Sequence, residues 1–359
     1  MNKKVLIAVS STGGHIYPGI AVADELKKNG YDVFFVDKGG QNSEIILKAG
    51  YRFYKISASG LKRKISYSNI AFFPSFIYRF LFSIYQSFKI LKKEQPGIVI
   101  GFGSYISVSV ILAASIRKIP SIVHEQNIIP GFANKISAVF ANTVCIGFEK
   151  TKTCFPAAKV ILTGNPVRQE IRNINPSPFT LHPLPFTCLI FGGSQGAHSI
   201  NLAIVNAIDK FLLIKEKIHL IHITGEKDYE IVKNTYTTKK ISAEVHKYLF
   251  NIETAYKKAS VIISRAGAMT ITELITVKIP ALLVPYPYST ERHQKANADY
   301  LAENGCAVVI EENEIHKLVD KLLELLNQPE TLQKMTDAYL KIAYPDATKT
   351  FCQLVKTYF

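Results

Sequence analysis

The fold is decided by the stretch Val5-Leu6-Ile7-Ala8-Val9-Ser10-Ser11-Thr12-Gly13-Gly14-His15 and by its echo, Thr187-Cys188-Leu189-Ile190-Phe191-Gly192-Gly193-Ser194-Gln195-Gly196. Each is an apolar run of strand rather than helix length that ends on a glycine turn. After the first turn, Ala21, Val22 and Leu26 recur at helical spacing over Ile20 to Lys28, and after the second a helix is expected from Ser199. Strand, glycine turn and helix in succession open a βαβ unit, whose parallel strands need a crossover helix to return the chain.

Around the first stretch, Asp32 to Asp37, Ile98 to Gly101, Ser121 to His124 and Val144 to Ile146 read as further strands, with Tyr105 to Arg117 a buried helix. Asn165-Pro166-Val167-Arg168 and then Pro176, Pro178, Pro183 and Pro185 make a weakly periodic, proline-rich stretch of the kind that joins domains. Around the second, strands are expected near His219 to Thr224, Val261 to Ser264, Ala281 to Val284 and Ala307 to Ile310. Helices are expected near Glu253 to Ala259, Thr270 to Val277, Arg292 to Asn304 and Glu314 to Asn327. This predicts two α/β, Rossmann-like doubly wound domains in tandem, residues 1–165 and 166–345, with a last helix, 346–359, free to pack on the first.

The 359 residues suit two domains that each bury a core. With 48% hydrophobic and 20% charged residues the chain is not disordered, and a formal net charge of +15 points to an anionic partner: nucleic acid, an anionic membrane or a phosphorylated ligand. Five scattered cysteines (Cys145, Cys154, Cys188, Cys306, Cys352) without a Cys-x-x-Cys pair argue against a disulfide framework or a zinc site. Met1-Asn2-Lys3-Lys4 before a short apolar strand does not read as a signal peptide, so a reducing, cytoplasmic setting is expected.

From Ser66 to Ser87 the only charge is Arg79, and Phe72 to Phe88 holds eight aromatics in 17 positions. A helix from Pro74 would carry a narrow polar stripe of Arg79, Ser83, Gln86 and Ser87, with Phe76, Phe80 and their neighbours covering most of the circumference. Lys62, Arg63 and Lys64 on one side and Lys89, Lys92 and Lys93 on the other make this resemble an interfacial anchor, with Phe72, Phe73, Phe76, Phe80 and Arg79 as the membrane-contact candidates. A core helix beside a solvated charge run is the plainer alternative. Pro74, Arg79 and several serines argue against a full span.

Six clusters carry chemistry. Thr12-Gly13-Gly14 lets backbone approach a ligand at a strand-to-helix turn, and His15 follows with an imidazole able to take a proton near neutral pH, although a histidine there also serves as a helix-start hydrogen bonder. Gly103-Ser104-Tyr105 is a second such turn. Gly192-Gly193-Ser194-Gln195-Gly196 is the better diphosphate cradle because Ser194 adds a hydroxyl to the amides. No Walker A ending and no Asp-x-Asp pair occur, so diphosphate charge falls to helix starts and arginines. Glu273, in a helix after Arg265-Ala266-Gly267, can accept from ribose hydroxyls or serve the helix macrodipole. His124-Glu125-Gln126-Asn127 and Thr290-Glu291-Arg292-His293-Gln294 place polar runs at strand and helix ends.

Thr12-Gly13-Gly14-His15 with Pro18-Gly19, His124 to Asn127, Gly164-Asn165-Pro166-Val167-Arg168, Gly192 to Ala197, Arg265 to Ala268 with Thr270 and Glu273, and His293-Gln294 with Asn297, taken in that order, resemble the peptidoglycan-building enzymes of glycosyltransferase family 28. The resemblance spans nearly the whole chain. It implies a GT-B type pair of domains facing a cleft and a metal-independent, inverting enzyme without a cofactor. The reaction it implies moves N-acetylglucosamine from UDP-N-acetylglucosamine to the C4 hydroxyl of a muramoyl-pentapeptide diphospho-undecaprenol lipid during peptidoglycan synthesis, at the cytoplasmic face of the plasma membrane. His15 becomes the general base. The donor would be held by Thr12, Gly13, Gly14, Asn127, Arg168, Ser194, Leu249, Gln294 and the run Ala268, Met269, Thr270, Ile271, Thr272 and Glu273. The turn Gly192, Gly193, Gln195, Gly196 would hold its diphosphate, and Gly103, Ser104 and Tyr105 would face the acceptor.

Departures from the family pattern keep two alternatives open. The second turn reads Gly103-Ser104-Tyr105 and Ser107-Val108-Ser109 where the family usually has Gly-Gly-Tyr and Ser-Gly-Pro, and the first begins Ser10-Ser11 where it has Gly-Gly. A transferase with a diacylglycerol-type acceptor keeps the fold and donor, and a UDP-N-acetylglucosamine epimerase keeps the architecture without a lipid. Nucleic acid is not an expected partner.

Overall fold

The computed structural model describes residues 3–10, 13–40, 43–57, 67–174, 185–193, 195–342 and 346–359, for 67–74 the backbone only. The chain folds into two compact units, Met1–Arg168 with Tyr344–Phe359, and Gln169–Ala343.

The first unit runs β1 (Lys4–Ala8), α1 (Gly13–Lys28), β2 (Asp32–Asp37), α2 (Ser43–Lys48), β3 (Phe53–Lys55), α3 (Tyr67–Glu94), β4 (Ile98–Gly101), α4 (Ser104–Ile116), β5 (Ser121–Glu125), α5 (Phe132–Phe140), β6 (Thr143–Ile146) and β7 (Val160–Leu162). Its seven strands lie in the order β3-β2-β1-β4-β5-β6-β7, every pair parallel. The second unit runs α6 (Gln169–Arg172), β8 (Phe186–Phe191), α7 (His198–Asn206), α8 (Ile208–Leu212), β9 (Ile218–Ile223), α9 (Tyr229–Lys239), β10 (Ala243–His246), α10 (Ile252–Lys258), β11 (Val261–Ser264), α11 (Ala268–Val277), β12 (Ala281–Leu283), α12 (His293–Glu303), β13 (Ala307–Val309), α13 (Leu318–Leu326) and α14 (Pro329–Ala338). Its parallel sheet is ordered β10-β9-β8-β11-β12-β13.

Both orders turn back at the first strand of the unit, so each sheet has one switch point, at β1/β4 and at β8/β11. There the outgoing connections cross to opposite faces and leave a crevice at the carboxyl ends of the strands, where open α/β sheets bind ligands. The expected doubly wound architecture is present in each unit.

The final helix, α15 (Ala347–Lys356), belongs to the first unit. Phe351 packs at 5.9 Å from the Phe102 ring and 5.6 Å from His124, and the Tyr358 and Thr143 hydroxyls lie 2.5 Å apart. Phe351, Cys352 and Val355 are buried in the same core as Ile7, Ile16 and Ile100.

Several boundaries differ from expectation. α1 begins at Gly13 rather than near Ile20, because Pro18-Gly19 does not stop it. The buried Ile16 anchors the early turns, and Gly19 lets the helix lie close on β1: a Cβ there would be 3.0 Å from Val9 Cγ1. α3 starts at Tyr67, ahead of the expected Pro74. β3, β7 and β10 were not expected; β3 and β10 are four residues or fewer, half-buried and at sheet edges, where alternation is faint.

The largest surprise is the orientation of α3. Its serine stripe faces inward: Ser83 and Ser87 are buried, and Ser83 Oγ lies 2.6 Å from Ser109 Oγ of α4. Phe76 and Phe80, expected at the surface, are half-buried, stacked on each other with Phe76 edge-on to Tyr105. The exposed face carries Ile77, Tyr78, Leu81, Phe82 and Tyr85, together with Arg79. Small hydroxyl side chains let two helices approach closely while their oxygens satisfy one another and the preceding-turn carbonyls, which is why the two serines of the expected polar stripe went inside while Arg79 stayed exposed and Gln86 half-buried. Phe72 and Phe73 lie among the residues whose side chains are outside the described set, as do Lys62, Arg63 and Lys64. No described helix is long and apolar enough to cross a membrane.

Candidate functional site

In the first unit the expected residues begin at the β1/β4 switch point. His15 is the third residue of α1, and its Nδ1 lies 2.5 Å from the Ser10 hydroxyl. Its opposite edge rests on the second glycine turn: a Cβ added to Gly103 would be 2.8 Å from His15 Nε2. Gly103 has φ +105° and Ser104 φ +73°, so the turn from β4 into α4 uses two consecutive left-handed residues, the second with a side chain. The Ser104 hydroxyl accepts a hydrogen bond from Ile106 N at 3.3 Å. The Gly-to-Ser departure noted in the sequence therefore falls on a position whose backbone favours glycine. Tyr105 is half-buried. Thr12 is outside the described residues, and Gly13 and Gly14 form the first turn of α1.

Three of the four polar residues His124 to Asn127 turn inward. His124 Nε2 lies 3.0 Å from the Gly164 carbonyl, which can only accept, so Nε2 carries the proton and Nδ1 accepts from Gln126 Nε2 at 3.1 Å. Burial pushes this imidazole down to about 4. Gln126 also donates to the Phe102 carbonyl, and Asn165 Nδ2 donates to Gln126 O. These residues tie the Gly103 turn, the end of β5 and the Gly164 turn into one piece. Asn127 is half-buried, and its backbone N–H and Nδ2 both donate to Glu125. Arg168, at the end of the unit, lies with its guanidinium 4.4 Å from the Tyr17 ring centre.

The second unit places Gly192 to Gly196 at the carboxyl end of β8. Gly193 and Gly196 have φ +95° and +76°, and Gly196 N bonds Gly193 O at 3.1 Å. A Cβ on Gly196 would be 2.0 Å from Thr224 O, so only glycine lets this turn lie against the one after β9. α7 follows with Ala197 as its N-cap, which has no side-chain oxygen to satisfy the first amides. Gln195 is exposed, and Ser194 lies outside the described residues.

At the neighbouring β11 end, Arg265 is held by four acceptors: Glu312 Oε2 at 2.5 Å and Oε1 at 3.2 Å, Val284 O at 3.1 Å and Ser199 Oγ at 2.8 Å. α11 starts at Ala268 on a Gly267 cap. Within it, Ala268, Met269, Thr272 and Glu273 are 8–9% exposed and Thr270 half-buried, but Ile271 is fully buried in the core and offers a ligand only backbone. Glu273 stands in the second turn, past the reach of the macrodipole reading, and its Oε2 accepts from Tyr256 Oη at 2.8 Å. Gln294 Oε1 accepts from Tyr286 N at 2.9 Å. Just before it, Glu291 and Arg292 are both left-handed, at φ 53° and 55°. Leu249 is half-buried between the exposed Tyr248 and Phe250, whose rings are 4.7 Å apart.

The Gly13-Gly14-His15 and Gly103 turns thus meet at the first switch point, and the Gly192 to Gly196 turn and the start of α11 lie at the second, while Asn127, Arg168, Leu249 and Gln294 follow other strands, β5, β7, β10 and β12. Sequence reasoning missed the residues that orient them: Ser10 behind His15, Glu125 and Asn134 behind Asn127, Tyr256 behind Glu273, and Ser199 and Glu312 behind Arg265. Tyr256, Ser199 and Glu312 come from distant parts of the chain, whereas Ser10, Glu125 and Asn134 lie within ten residues of the groups they hold, and nothing in the sequence marks which of them turns towards its partner. Among the described residues no three His, Cys, Asp or Glu side chains converge as a metal site.

Comparison with known proteins bears on the whole chain. The glycosyltransferase family 28 N-terminal domain matches residues 5–146 and the family 28 C-terminal domain residues 187–351. The UDP-N-acetylglucosamine–N-acetylmuramyl-(pentapeptide) pyrophosphoryl-undecaprenol N-acetylglucosamine transferase of Natranaerobius thermophilus is 36% identical, covering 99% of both chains. That of Myxococcus xanthus is 36% identical, covering 96% of this chain and 90% of the relative. The crystal structure of Acinetobacter baumannii MurG is 26% identical with a TM-score of 0.77 over 99% of each chain. With both domain types matched in order and relatives aligned end to end, the chain belongs to glycosyltransferase family 28.

Proposed function

We propose that this chain transfers N-acetylglucosamine from UDP-N-acetylglucosamine to the C4 hydroxyl of a muramoyl-pentapeptide carried on diphospho-undecaprenol, with inversion at the sugar C1. The observation that carries this reading is the contact of His15 Nε2 with the Gly103 turn at the first switch point, in a chain matched along its length by relatives named for that transfer.

The acceptor hydroxyl attacks C1 from the face opposite UDP, the C1–oxygen bond to the diphosphate breaks, and the hydroxyl proton passes to His15 Nε2. A base at Nε2 needs the proton of the neutral ring on Nδ1, where Nδ1–H donates to Ser10 Oγ. Such a base contributes about 10² to 10⁴ in rate. The growing charge on UDP is met without a metal by the amides of Gly193 to Gly196 and the start of α7, with Ser194 and Arg168. Glu273 takes the ribose hydroxyls. Gln294 and the 268–273 run line the sugar and nucleotide, the backbone near Leu249 reads uracil, Asn127 and the Thr12 to Gly14 turn complete the donor site, and Gly103-Ser104-Tyr105 receives the acceptor diphosphate.

A peripheral position on the cytoplasmic face of the membrane fits the exposed apolar face of α3, with Lys89, Lys92 and Lys93 exposed at its end. Each such lysine near an anionic leaflet adds about 1 kcal/mol. Affinity for anionic vesicles should fall in high salt and in Ile77→Ser/Leu81→Ser, while Phe76→Ser should act on stability; unchanged vesicle affinity in the double variant would remove the membrane from this reading.

The deciding experiment supplies labelled UDP-N-acetylglucosamine and the muramoyl lipid to wild type and His15→Ala. A disaccharide lipid from wild type, with turnover lost but donor binding kept in His15→Ala, is expected. Donor binding with no lipid product would sink the reading, product on a diacylglycerol-type acceptor would redirect it, and conversion of donor without any acceptor would mean an epimerase.

A further inference from the structure

Glu125 is the one buried acid in the His124 to Asn127 run, and the reaction above gives it no part. It ends β5 with 1% of its surface exposed, and both carboxyl oxygens are doubly occupied. Oε1 accepts from Asn127 N at 2.8 Å and Asn127 Nδ2 at 3.1 Å; Oε2 accepts from Gly131 N at 3.0 Å and Asn134 Nδ2 at 2.8 Å. All four partners are donors, so a proton on this group would face N–H groups with nothing to accept it. The pocket is built for the anion, although burial itself pushes the carboxyl upward against those hydrogen bonds.

This arrangement turns the nitrogen end of Asn127 inward, with one of its two Nδ2 protons committed to Glu125. With Nδ2 turned back to Glu125, the planar amide directs Oδ1 the other way, and a carbonyl oxygen has two lone pairs with which to accept. An oxygen acceptor suits a sugar hydroxyl or an amide N–H and repels a phosphate oxygen. We propose that Glu125 is a positioning residue that fixes Asn127 as a hydrogen-bond acceptor for a hydroxyl or the acetamido N–H of the donor sugar, leaving the diphosphate to other groups. This rests on Asn127 belonging to the donor site.

The test compares binding of UDP-N-acetylglucosamine with binding of UDP by calorimetry, using wild type, Asn127→Ala, Glu125→Gln and Glu125→Asp. One neutral hydrogen bond corresponds to roughly 3- to 10-fold in affinity. Asn127→Ala and Glu125→Gln should each weaken UDP-N-acetylglucosamine by about that factor and leave UDP unchanged. Glu125→Gln presents an NH₂ group to a shell of donors, so it should be the worse of the two Glu125 variants, and Glu125→Asp, which keeps the charge, should restore part of the loss. A general loss of structure would lower both ligands together and would not select the sugar. Should Glu125→Gln fail to fold, Glu125→Asp and Asn127→Ala must still separate the two ligands.

If Asn127→Ala weakens the sugar nucleotide and no Glu125 variant does, the positioning role is wrong while the donor-site reading stands. If Asn127→Ala changes neither ligand, the donor-site reading of Asn127 itself fails. Equal weakening of UDP and UDP-N-acetylglucosamine by Asn127→Ala, in a variant whose melting temperature matches wild type, would put the contact on the diphosphate and overturn the inference.

Discussion

Gly103→Ala should slow the enzyme by moving a histidine it does not replace. The added Cβ would be 2.8 Å from His15 Nε2 and 3.1 Å from Cδ2, against 3.4 Å for ordinary contact, so the ring must retreat by about 0.6 Å. Retreat is resisted because Nδ1 is held at 2.5 Å by Ser10. The backbone at φ +105° adds a cost for any side chain of about 1–2 kcal/mol, and overpacking adds about 1–3 kcal/mol, together about 2–5 kcal/mol. For a unit of this size that is roughly 4–20 °C in melting temperature. A 1 Å error in a reacting group costs about 100-fold, so kcat should fall about 10- to 100-fold. KM for the donor should change much less, because most donor contacts are assigned to the second unit. Steady-state turnover and thermal melts read both effects. In a His15→Ala background the ring is gone, so adding Gly103→Ala should cost little further turnover and less stability than it does in wild type. Gly131→Ala is the stability control, since its φ is −67° and a Cβ there meets nothing within 4 Å. Wild-type turnover in Gly103→Ala, or full additivity with His15→Ala, would refute the reasoning.

At Ser104 (φ +73°), glycine relieves the left-handed backbone whereas alanine keeps the strain and loses the contact to Ile106 N, so Ser104→Gly should be more stable than Ser104→Ala by about 1 kcal/mol in urea melts; the reverse order would mean that the turn carries no strain. Burial pushes His124 to about 4 and His222 to about 3, so both stay neutral when folded and take protons on unfolding once pH drops below about 6.5. The unfolded state then binds more protons, and unfolding free energy should decline from about pH 6.5 towards 4; a flat profile over that window would contradict this. Arg265→Lys cannot reproduce the two-pronged bond to Glu312 or reach Val284 O and Ser199 Oγ together, and it should cost about 1–3 kcal/mol by denaturant midpoint, an unchanged midpoint counting against the network.

Strand, glycine turn and helix are local patterns, and the chain alone therefore determined where ligands meet each sheet: β2, β4 and β11 match the expected strands residue for residue, and the Gly13-Gly14-His15 and Gly192 to Gly196 turns lie at the two switch points. Edge strands were illegible because β3 and β10 lack a clear buried face. Which face of a helix or strand end points inward was not encoded locally either. Helical spacing divided α3 into a serine stripe and an aromatic surface, but only Ser109 on α4, 26 residues away from Ser83, decided that the serines go inside and Leu81 and Phe82 outside. Four consecutive polar residues at the end of β5 announced a site, yet only bonds to Phe102, Gly131, Asn134 and Gly164 decided that His124, Glu125 and Gln126 brace it while Asn127 stands at its edge. Sequence sets backbone periodicity through neighbours along the chain, whereas a polar side chain turns to whichever partner satisfies it, and those partners are brought within 3 Å only when distant segments pack.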